Sequence, residues 1–186
     1  MVRSFEETPL PDEVVFRVVD AGRRAPSAGN TWGVHFLVLR GREECAAYWE
    51  CTLPEHRRGQ LSWPGLLRAP VLVVVWVDPA EYRRRYRLPD KRRSGGPDGW
   101  TVPFWFVDAG MAVENMLLAA VDEGLGALFC SVFGGESALR ARFGVPESMR
   151  AVGTVVLGHP SPDDRPSLSQ RRGRPPLEQV AHLGGW

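Results

Sequence analysis

FVDAGMAVENMLLAAVDEG, residues Phe106 to Gly124, is the stretch on which the fold turns. Its apolar residues recur at helical spacing and cover much of the circumference, which predicts a long central helix buried by its neighbours. Gly124 follows as the residue that can take the left-handed backbone ending a helix. Upstream, VLVVVWV (Val71 to Val77) is an unbroken β-branched run, as expected of a strand covered on both faces. HFLVLRG, ending at Gly41, reads as another strand, and ALFCSV and AVGTVVLG supply two more around the short helix ESALRARF, stopped by Gly144. DEVVFRVVDAGRRA sets Val14, Val15, Val18 and Val19 on one helical face, with Asp12 as N-cap and Pro26 closing the helix. Residues 43–69 read as mixed and partly helical. The pattern predicts one α+β domain over residues 1–186, a mixed or antiparallel sheet around the long buried helix.

Bulk properties narrow the function classes. The 186 residues are 44% hydrophobic and 24% charged with a net charge of +1, which argues against a nucleic-acid or membrane-surface partner. No apolar run approaches the roughly 18 residues of a membrane span, and the N-terminus lacks a signal-like apolar region, so a cytoplasmic protein is expected. Cys45, Cys51 and Cys130 form no C-x-x-C pair and read as reduced packing residues. Lys91 is the single lysine, so an anion site must use arginine forks or backbone N–H groups.

The usual chemical signatures are missing. The four histidines lie in no zinc-ligand spacing, and G-x-S-x-G, the P-loop pattern and G-x-G-x-x-G are absent. Asp122-Glu123 and Asp163-Asp164 read as solvated pairs rather than acid–base dyads. No metal and no side-chain catalyst are expected, which leaves a binding protein or one whose cofactor carries the chemistry.

Two segments stand outside the core pattern. Residues 78–105 form a basic, Pro- and Gly-rich excursion containing YRRRYRLPDKRRS and the aromatics Trp100, Phe104 and Trp105. It reads either as a solvated cover or as a lid whose arginines meet an anionic substrate or the 2′-phosphate of NADPH. The polar tail, residues 158–186, cannot build a core and is expected to pack across a neighbouring subunit.

Three segments in order resemble the FMN-dependent nitroreductase family: VRSFEETPLPDEVVFRVVDAGRRAPSAGNT, VDAGMAVENMLLAAVDEGLGALF and RRGRPPLEQVAH. The resemblance implies a homodimer holding FMN at its interface and passing electrons from NADH or NADPH to a small organic acceptor by a ping-pong route. It assigns Arg3, Arg172 and Arg174 to the FMN phosphate, with Arg23 as a further candidate. Ser27 and Asn30 would touch the flavin, although a serine or Asx turn after Pro26 needs the same residue types. The backbone of Val132, Phe133 and Gly134 would face the ring's N5 and O4 edge.

The chain also departs from the family pattern. No Arg-x-Ser precedes Val2, Trp32-Gly33-Val34 replaces the usual Gln-Pro-Trp, and the expected Asn and Lys have only Gln60 or Ser62 as substitutes. These losses keep open a non-catalytic or flavin-free partner subunit.

Overall fold

The computed structural model describes residues 1–91 and 96–186. Four strands, β1 (Val34–Arg40), β2 (Val71–Val77), β3 (Gly126–Cys130) and β4 (Arg150–Gly158), make one sheet in the order β1-β2-β4-β3. Every neighbouring pair is antiparallel. β2 is buried at all seven positions, as its unbroken β-branched run requires of a strand with both faces covered.

Alternate residues of β2 belong to different cores. Val71, Val73, Val75 and Val77 join Val155 and Leu157 of β4 beneath two helices, α1 (Asp12–Arg23) and α5 (Phe104–Asp122). Leu72, Val74 and Trp76 join Val156 on the opposite face, under α2 (Gly41–Thr52) and α6 (Glu136–Phe143). The remaining helices are α3 (Glu55–Arg58) and α4 (Pro79–Tyr86). The result is a three-layer α/β/α arrangement with the sheet, rather than the long helix, at its centre.

α5 is the expected long helix, buried against the core on one face only. Asp108, Ala109, Ala112, Val113, Met116 and Ala120 face the core, and α1 approaches closely enough that a Cβ on Gly22 would sit 2.8 Å from Met116 Cγ. The other face is apolar yet open, with Phe104, Val107, Leu118 and Val121 exposed at heptad spacing. By length and composition α5 is also long and apolar enough to cross a membrane, contrary to the reading that no stretch comes close. Its burial against α1 and the sheet is that of a core helix. Asp12 is the first residue of α1 rather than its cap, with its carboxylate paired to Arg40.

The 78–105 excursion is more structured than a loose cover. Pro79–Tyr86 is helical, capped by Asp78, whose carboxylate accepts the Ala80 N–H at 2.9 Å. Trp100 packs edge-on against Tyr82, Tyr86 and Phe104, which ties this part of the excursion to α4 and the start of α5. The part of the basic run at Arg92, Arg93 and Ser94 lies outside the described residues.

Candidate functional site

Several of the residues singled out in the sequence line one of two separate cavities. Arg3, Gln60, Ser62, Cys130 and Phe133 line a cavity of about 380 Å³ at the end of β3. Its floor is apolar (Leu61, Leu66, Leu128), and the Arg3 guanidinium lies 5.2 Å from the centroid of the Trp63 ring. Val132 packs against the adjoining core. The Gly134 N–H turns back to the Val132 carbonyl at 2.6 Å; the Val132 and Phe133 N–H groups have no intramolecular partner among the described residues. Donors at this rim are therefore those two amides rather than all three. Burial pushes the Cys130 thiol up to about 11, so it stands here as a neutral packing group, not a nucleophile.

A pair read as solvated carboxylates holds Arg3 in place. Asp164 Oδ1 accepts the N–H groups of both Arg3 and Ser4 at 2.9 Å. Asp163 Oδ1 accepts the Ser4 hydroxyl and the Arg68 guanidinium, each at 2.7 Å. Hydrogen bonds from the Ser161 and Ser4 hydroxyls, with Arg68 beside them, hold the Asp163 carboxyl at about 2, below its ordinary value of 3.8. A carboxyl depressed on folding adds stability above its unfolded pKa and loses it as pH falls towards the folded one. The gap in thermal midpoint between wild type and Asp163→Asn is therefore expected to be constant above about pH 5 and to close between about pH 4 and 2. A gap that kept its size through that window would show that Asp163 contributes nothing as an anion.

The second surface is a cavity of about 330 Å³ lined by Arg23, Ser27, Trp32, His35, Asp108 and neighbours. Arg23 and Arg24 both pair with Asp20 at 2.6 Å on the exposed side of α1. Ser27 serves the turn that its residue type allowed, its Oγ accepting the Trp32 N–H at 3.1 Å. Asn30 is exposed. Asp108, which the sequence reading passed over, is 2% exposed and accepts the Ala28 N–H at 2.8 Å and the Tyr82 hydroxyl at 2.7 Å. Burial raises its pKa, against the opposing pull of those two donors.

Arg172 and Arg174 lie in the exposed tail and line neither cavity. The tail displays Leu168, Leu177, Val180, Leu183 and Trp186 to solvent. The arginines assigned to an anionic substrate are neutralised locally, Arg83 by Asp98 at 3.8 Å, Arg84 by Glu81 at 2.8 Å and Arg85 by Asp90 at 2.6 Å. These pairs favour the solvated-cover reading over the 2′-phosphate one. A further cavity, about 650 Å³ between the starts of α1 and α2, contains none of the residues singled out for the cofactor.

Comparison with known proteins agrees with the fold. The Nitroreductase family matches residues 1–159. An Archaeoglobus fulgidus protein with the provisional name NADH dehydrogenase/NAD(P)H nitroreductase is 30% identical over 162 residues, covering 86% of this chain and 79% of the relative. A 5,6-dimethylbenzimidazole synthase of Rhodospirillum rubrum is 26% identical over 197 residues, covering 94% and 87%. A Desulfovibrio desulfuricans structure, described provisionally as a nitroreductase in complex with FMN, superposes with a TM-score of 0.68 at 23% identity, covering 100% and 91%; that likeness concerns the fold. Taken with the layered sheet and its long helix, the family match and the Archaeoglobus relative place the chain plainly: it belongs to the nitroreductase family.

Proposed function

We propose that two copies of this chain form a homodimer that binds FMN in its seam and acts as an NAD(P)H oxidoreductase. One observation carries the reading: the groups suited to the cofactor are split between two surfaces of one chain, which also leaves open an apolar stripe on α5 and an apolar-studded tail. Bringing two copies together would cover both and join the β3-end cavity of one protomer to the 27–33 loop of the other.

The residues present fit the group. Leu61, Leu66 and Leu128 offer the apolar surface an isoalloxazine needs, with the Trp63 ring beside them. Gln60, Ser62 and the free Val132 and Phe133 amides offer polar contacts for its edge. Arg3 would take the phosphate, and a tail crossing to the partner would add Arg172 and Arg174. When bound, FMN would supply two-electron chemistry between NADH or NADPH and an acceptor of nitroaromatic, quinone or enone type, in a ping-pong cycle. The chain's own work is to orient the ring, exclude water from the seam and set amide donors where negative charge gathers.

The test is titration of the purified chain with FMN, followed by NADH or NADPH. Saturable uptake and nicotinamide-dependent bleaching of the flavin colour are expected. A chain that takes up no FMN and oxidises neither nicotinamide would overturn the proposal in favour of the flavin-free partner subunit.

A further inference from the structure

The loop at residues 27–33 holds an unfavourable backbone. Gly29, Asn30 and Trp32 have φ of +65°, +55° and +57°; glycine and asparagine tolerate the left-handed region, whereas the bulky Trp32 side chain disfavours it. Such a shape persists only when its surroundings over-determine it.

Those surroundings are specific. The Ala28 N–H donates to Asp108 Oδ2 at 2.8 Å, and Arg85 Nε donates to the Gly29 carbonyl at 2.8 Å. The Asn30 N–H reaches the Ser27 carbonyl at 2.9 Å, the Trp32 N–H reaches Ser27 Oγ at 3.1 Å, and the Asp78 N–H closes on the Gly33 carbonyl at 2.9 Å. Each external anchor is itself fixed. The Tyr82 hydroxyl donates to Asp108 at 2.7 Å, and Asp90 grips the Arg85 guanidinium through two bonds of 2.8 and 2.6 Å. A Cβ at Gly29 would meet the Tyr86 ring at 2.7 Å, and one at Gly33 the Tyr82 ring at 2.5 Å, so the backbone lies directly on α4.

The excursion helix thus acts as backing for the loop, and the buried carboxylate of α5 as its anchor. Opposite that backing, Asn30 is exposed and its side chain has no hydrogen bond among the described residues, while Trp32 is 67% exposed. A pinned, strained backbone that presents an unused amide and an open aromatic face is organised for a contact outside the protomer.

We propose that Asp108 is a positioning residue which, with Tyr82 and Arg85, holds the 27–33 loop in the shape that presents Asn30 and Trp32 to the cofactor seam. This rests on the FMN reading above. Asp108 touches the loop and not the cofactor, so its loss acts through loop order.

The experiment compares wild type, Asp108→Asn and Tyr82→Phe as full chains, measuring FMN affinity by titration and amide hydrogen exchange without FMN. Asp108→Asn is expected to weaken FMN binding about 10-fold and to speed exchange of the Ala28 amide, with exchange in β2 unchanged. Tyr82→Phe, which keeps the ring and removes only the hydroxyl, is expected to shift both readouts the same way by a smaller factor. It decides the matter if Asp108→Asn does not fold. Wild-type affinity in the variants, or affinity lost only in step with faster β2 exchange, would overturn the positioning role. Absence of FMN uptake by wild type would instead overturn the cofactor reading, and this proposal with it.

Discussion

Leu118→Glu is expected to turn the proposed dimer into a monomer and to abolish FMN uptake while leaving the protomer folded. Leu118 is 61% exposed and Val121 69% exposed on the outer face of α5, in register with Phe104 and Val107. A two-fold interface presents the same patch from both copies, so one substitution sets two carboxylates into the seam. Burying an unpaired charge costs several kcal/mol, about 3–5 on the scale of broken buried pairs, enough to raise the dimer dissociation constant by more than a hundredfold. The protomer does not bury this side chain, and surface changes of that kind cost within about 0.5 kcal/mol. Sedimentation of the variant should give a monomer with an unaltered circular dichroism spectrum. A variant that remains a dimer would move the interface away from α5.

The second large effect falls on Arg3. Arg3→Ala is expected to weaken FMN binding by about 10- to 150-fold, the worth of a charge-assisted hydrogen bond of roughly 1.5–3 kcal/mol. The backbone beneath it is held by Asp164 through the N–H groups of Arg3 and Ser4, independently of the guanidinium, so the thermal midpoint of the flavin-free protein should not move. Riboflavin, which lacks the phosphate, should bind wild type and variant alike. A variant that loses riboflavin as well would place Arg3 against the ring or in the packing of Trp63 instead.

The fold was legible where one physical demand dominated. All four strands were read from short apolar runs because a sheet covered on both faces admits little else, and the buried pattern of β2 matches that demand. The circumference of α5 was read as apolar, but residue type alone does not separate a face turned to the core from one left for a partner. The excursion stayed open between cover and lid because clustered arginines look like a ligand surface when their acids, Glu81, Asp90 and Asp98, are counted separately. Tyr82 and Tyr86, one helical turn apart, were the available sign of a packed helix there.

The site was legible mainly through resemblance. Arg3, Gln60, Ser62 and Phe133 are far apart in the chain, and only the end of β3 brings them together. Asp108 could have been found: a carboxylate on the same face of α5 as Ala109, Ala112 and Met116 must have a hydrogen-bond partner there. Glu114, on the exposed side of the same helix, needs none.

Sedimentation of wild-type protein with FMN, followed at once in the protein band and the visible flavin band, bears most directly on the central claim. One boundary of dimer size carrying flavin in proportion to protomers is the predicted result. Flavin sedimenting with a monomer, or a dimer that leaves all flavin behind, would contradict a cofactor site built from two copies of this chain.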